Sequence, residues 1–159
     1  MVDRWVVFLH VAIAFWFVGG LIGRGLTLAR ARSSDDIDGV YLLTELAGRF
    51  ENLMVIPGSI AVFVAGLLAA WAEGIPLWGP GSGWLLLALI LFLSTFPLVP
   101  LIFIPRGKVF GAALADARAQ RKVTPALTEA FHDPAVAFAR NYEMVAIAVI
   151  VALMVVKPF

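Results

Sequence analysis

Four ionisable side chains lie in or at the ends of long apolar runs: His10, Arg24, Glu143 and Lys157. Each raises a chemical question, because a charged group in hydrocarbon is costly. His10 sits one and a half turns into the first run, roughly 8 Å from its outer end at 1.5 Å per residue. A neutral imidazole there could coordinate haem iron, and packed helices can enclose the macrocycle. The same residue could also serve as a helix-interface histidine bonded to a carbonyl. Met154 and Lys157 close the last run, on the side of the membrane where His10 lies. They could supply a thioether ligand and a cation for a propionate or an anionic lipid. Taken singly, Met154 is read more simply as packing and Lys157 as a snorkelling anchor.

A second polar group falls at the opposite depth. Arg24 ends the first run, Glu51 and Asn52 open the second, and Arg140, Asn141, Tyr142 and Glu143 occupy the early turns of the last. Unpaired charges at this level are unfavourable, so Arg24 or Arg49 is expected to pair with Glu143, and Arg140 with Glu51. Such a cluster could clamp helices, relay protons or bind a carboxylate.

The rest of the chain narrows the chemistry. It has 159 residues, 62% hydrophobic and 14% charged, with twelve basic against eleven acidic side chains. A mean hydropathy of +0.95 lies outside the range of water-soluble domains. The near-neutral charge gives no basis for nucleic-acid binding. With no cysteine, thiolate metal sites and covalent haem attachment are excluded. No phosphate loop, nucleophile elbow or His-x-x-x-His pair is present, which argues against a hydrolase or an ATP-driven pump.

The elements that position these residues follow from length and charge. About 20 apolar residues of helix cross a bilayer core, and four segments qualify, at about 5–26, 53–72, 84–104 and 134–156. Ten of the twelve Lys and Arg residues flank the first and third connections, which places those connections in the cytoplasm and both termini outside. Ser34 is expected to cap a helix from Asp35, and Asp133 a helix opening on Pro134. Asp36 to Glu51 and Arg106 to Lys122 read as interfacial helices, the second with Val109, Phe110, Ala113 and Leu114 towards one side. Trp71, Trp78 and Trp84 resemble an interfacial aromatic belt. Pro57, Pro97, Pro100 and Pro105 interrupt the ladders of the middle spans, and Gly19, Gly20, Gly23 and Gly25 permit close helix approach. The expected fold is all-α: a four-transmembrane-helix bundle with a short interfacial amphipathic helix in each cytoplasmic connection, one integral membrane domain over residues 1–159.

Phe8-Leu9-His10 followed by Gly19-Gly20, Ile56-Pro57-Gly58 leading to Gly66-Leu67, Gly83-Trp84, and Leu153-Met154-Val155-Val156-Lys157-Pro158 together resemble domain-of-unknown-function family 2269, a bacterial family of predicted integral membrane proteins. The resemblance covers nearly the whole chain and implies the bacterial inner membrane, without an activity. Leu9-His10, Trp16-Phe17, Gly19, Asn141 and Val156-Lys157-Pro158-Phe159 are more distantly similar to the HemJ-type protoporphyrinogen oxidases. That likeness implies haem b and a binding role for the first-helix histidine. Tyr142 between Asn141 and Glu143, and Leu21-Ile22-Gly23-Arg24, depart from the pattern of those oxidases. CopD-type four-helix membrane proteins are less closely similar.

Three functional classes remain. The first is a haem b protein that transfers electrons or oxidises a porphyrin, with His10 as iron ligand and Met154 or Lys157 nearby. The second is an accessory subunit of a larger membrane complex or a homo-oligomer. The third is a small-molecule or ion carrier built on Arg24, Glu51, Arg140, Asn141 and Glu143.

Overall fold

The computed structural model describes residues 2–158; Phe159, the last residue of the terminal motif, lies outside the described residues. Among the described residues all regular structure is helical, and four helices are long and apolar enough to cross a membrane. Large apolar side chains face outwards along them, with Phe15 76%, Trp71 81% and Val155 77% exposed. A water-soluble fold would bury such a surface, whereas a bilayer solvates it.

The chain divides into two compact units, one up to Ile75 and one from Pro76. In the first, α1 (Val2–Arg32) turns back through Ser33 to Asp36 into α2 (Ile37–Phe50). A π-helical turn, Glu51–Val55, then joins α2 to α3 (Ile56–Ala72) without a break. The cap is Asp36, not Ser34: its carboxylate accepts from Gly39 N at 2.9 Å and Asp38 N at 3.3 Å. A charged acceptor at a helix N-terminus gains from the dipole, which a hydroxyl does not match. Ser34 accepts instead from the Asp36 amide.

In the second unit, α4 (Gly83–Thr95) runs through a π-helical turn, Val99–Phe103, into α5 (Ile104–Ala119). The short α6 (Pro125–Phe131) folds back on α5, and α7 (Pro134–Val156) forms the last span. Asp133 caps α7 as its Asp-Pro sequence predicts, accepting from Ala135 N at 2.9 Å.

Helices α2 and α5, in the first and third connections, are extensions of the spans α3 and α4, whereas α6 is separate. The helical stretch Ile37–Ala72 is continuous over 36 residues, and Gly83–Ala119 covers 37 with a turn at Phe96 and Pro97. At 1.5 Å per residue each is about 54 Å long, well beyond a hydrocarbon core of about 30 Å. The apolar side of α5 is partly covered by protein, since Phe110 meets Phe131 edge-on at 4.8 Å and Ala117 and Leu127 are fully buried. Trp84 departs from the expected belt. It is 6% exposed and its indole N–H donates to Gly81 O at 3.2 Å, whereas Trp71 and Trp78 are exposed.

Candidate functional site

One stripe of α1 carries the polar residues of the first unit. His10, Phe17, Arg24 and Ala31 recur every seven residues, a spacing that keeps side chains on one helix face. Phe17 and Ala31 are buried, and the same face carries the 2%-exposed Leu21. Glycines on α1 and on α3 accommodate this packing. A Cβ on Gly58 would come 3.2 Å from the Phe17 backbone, and one on Gly20 would come 2.6 Å from Met54 Cβ. The helices therefore approach more closely than larger residues would allow.

His10 occupies the N-terminal end of this stripe. Its ring lies over Gly66, where a Cβ would come 3.0 Å from Cε1, 3.3 Å from Nδ1 and 3.7 Å from Nε2. Gly66 stands one turn beyond Val62, whose main chain is close enough to act on the imidazole. Nδ1 is nevertheless buried without a hydrogen-bond partner. Buried polar atoms are rarely left unsatisfied, and the exceptions concentrate where a ligand or catalytic role exists. An imidazole with an uncommitted nitrogen, beside a position with no side chain, is a donor set that fits haem iron.

Arg24 lies towards the C-terminal end, fourteen residues or about 21 Å along the helix. Its Nη1 donates to Glu51 Oε2 at 2.5 Å, with the side chains 12% and 35% exposed. Depth alone assigns Glu51 to Arg140, but the structure gives it to Arg24. The two belong to adjacent helices of one hairpin, and the π-helical turn that Glu51 opens sets its rotational phase. Arg49 pairs with Glu45, one helical turn away at 2.8 Å, on an exposed surface.

The remaining candidates lie in the second unit. Lys157 ends α7 in the left-handed conformation, at φ 45°, and its Nζ stands 5.3 Å from the Trp84 ring centroid. This is cation–π geometry. Met154 is half-buried and Asn141 is exposed on α7. Arg140 is half-buried, and Glu143 is not free. Two polar contacts of this unit are not apparent from spacing. Tyr142 OH lies 2.6 Å from Ser94 Oγ, joining α7 to α4. Arg106 pairs with Asp133 at 3.2 Å where α5 and α7 leave the apolar zone. Ser94-Thr95 within an uncharged run was the available signal for the first; the charged Arg106 following Pro105 was the signal for the second.

A family model described as "Predicted integral membrane protein (DUF2269)" matches residues 4–158. No curated protein and no solved structure matches the chain.

Proposed function

The chain belongs to the DUF2269 family of predicted integral membrane proteins, and from that premise we propose that it binds haem b through His10 and serves in electron transfer. The observation that carries this reading is the buried His10 Nδ1 without a hydrogen-bond partner, on a ring set against Gly66. The His10 imidazole would hold the iron through a ring nitrogen. Haem b, when bound, supplies a one-electron couple.

Arg24 has no part in this site. At about 21 Å from His10 along α1 it is beyond the reach of a propionate, and its pair with Glu51 serves to hold the inner ends of the hairpin together. The distribution of Lys and Arg supports an orientation with both termini outside a bacterial inner membrane and both long connections in the cytoplasm.

The test is an absorption spectrum of detergent-purified protein after haem-replete expression. The expected result is a Soret band that is lost in His10→Ala. No Soret band in the wild type, or an unchanged one in His10→Ala, would reject the reading.

A further inference from the structure

Arg140 lies seven residues, or about 10 Å, along α7 from Asp133 and on the same face of that helix. The Arg106–Asp133 pair marks the edge of the apolar zone in this unit, since α4 and its π-helical turn carry no charge from Gly83 to Ile104. Arg140 is therefore inside that zone, and it is only half-buried. Among the described residues of its unit, Asp133 is held by Arg106 and caps α7, Asp116 accepts from Gln120 at 2.8 Å, Glu129 is exposed on α6, and Glu143 has a partner, while Arg140 shows no ion pair. In the first unit Glu51, the acidic residue that opens the second span, is held by Arg24.

A guanidinium at this depth, without a carboxylate of its own, extends towards the headgroups and draws an anion to itself. The anion stocked at that level of a bilayer is lipid phosphate, which a guanidinium binds through two parallel N–H donors. Lys108 is exposed two residues beyond Arg106 on α5. It adds positive charge on the headgroup side and so favours an anionic over a zwitterionic lipid. We propose that Arg140 holds the phosphate of an anionic phospholipid in the leaflet beside the α5–α6 connection. This site is independent of His10 and of any cofactor.

The experiment uses the full-length protein in nanodiscs of phosphatidylcholine mixed with an equal amount of phosphatidylglycerol, with retained lipid read by native mass spectrometry. Wild type is expected to retain phosphatidylglycerol in preference. Arg140→Gln should lose about fivefold of that preference, the effect of one basic residue near the membrane surface. Arg140→Lys should keep most of it, and Lys122→Gln, at the far turn of the connection, should match wild type. An unchanged preference in Arg140→Gln, or an equal loss in Lys122→Gln, overturns the proposal. Inorganic phosphate added in detergent provides the second arm. If it displaces phosphatidylglycerol at equal concentration, the site is one for free phosphate and the lipid assignment fails. If Arg140→Gln does not fold, the wild type alone decides, because equal retention of the two lipids is then the overturning result.

Discussion

The His10 ring and the Cα of Gly66 are in such close register that a single methyl group on Gly66 would lie 3.0 Å from the imidazole Cε1 and 3.3 Å from Nδ1. Alanine at this position forces the ring to yield by a few tenths of an ångström, and valine displaces it. Gly66→Val is therefore expected to lower the haem-to-protein ratio nearly as far as His10→Ala, with Gly66→Ala in between. Soret absorbance per protein, measured beside the unfolding midpoint of each variant, checks this. A Gly66→Val protein that folds and loads haem like wild type would contradict the placement of the site.

The glycines of α1 are not equivalent, although the sequence presents them as one group. A Cβ on Gly20 meets Met54 Cβ at 2.6 Å, an atom fixed by the backbone, so the helices must separate. On Gly23 it meets the Phe50 ring at 2.6–2.9 Å, which rotation can partly relieve, and on Gly25 it meets nothing within 4 Å. The expected order of destabilisation is Gly20→Ala, then Gly23→Ala, with Gly25→Ala neutral or stabilising. Overpacking of this kind costs about 1–3 kcal/mol, and alanine gains up to about 1 kcal/mol over glycine in a helix. Thermal unfolding of the three variants in one detergent measures the order.

The contrast among these glycines illustrates what could be read in advance. The four spans were legible because an uninterrupted apolar run of about 20 residues has few alternatives to a membrane helix. Asp133 as a cap was legible because Asp-Pro restricts the local backbone. The extension of the middle spans into the connections was not, because helix continuity leaves no mark where hydrocarbon ends and water begins. Nor was the partner of Glu51. Depth follows from counting residues, but rotational phase does not once a π-helical turn inserts a residue and turns the following face by about 100°. His10 was legible as an intramembrane ionisable residue, whereas its register with Gly66 depends on how closely two helices approach.

The Ser94–Tyr142 contact has a direction. Ser94 Oγ donates to the Leu91 carbonyl at 2.6 Å, so at 2.6 Å from Tyr142 it acts as acceptor and the phenol as donor. Ser94→Ala then leaves a phenol proton without its acceptor, whereas Tyr142→Phe leaves Ser94 still bonded to Leu91. The serine variant is expected to be the more damaging of the two despite removing a single oxygen. A double-mutant cycle should give a coupling of about 0.6 kcal/mol and no more than about 1.7, the range for side-chain hydrogen bonds in membrane helices. A coupling of zero would mean that the two hydroxyls do not depend on each other.

The Arg24–Glu51 and Arg49–Glu45 ion pairs share chemistry and differ in solvation, which makes them an internal comparison. Arg24 and Glu51 are 12% and 35% exposed, against 68% and 44% for Arg49 and Glu45. Removing one partner of an exposed pair one helical turn apart costs about 0.3–0.5 kcal/mol, because water replaces the lost contact. Glu51→Gln removes a charge partner of the Arg24 guanidinium in a poorly solvated interface, where the cost approaches that of a buried pair, reduced because Glu51 is still partly exposed. About 1–3 kcal/mol is expected. The response to salt should separate them further, with the Arg49–Glu45 contribution fading between low and high ionic strength and the Arg24–Glu51 contribution persisting. Unfolding of Glu51→Gln and Glu45→Gln at two salt concentrations measures both terms. Equal losses for the two variants would show that the Arg24–Glu51 pair is as well hydrated as a surface one.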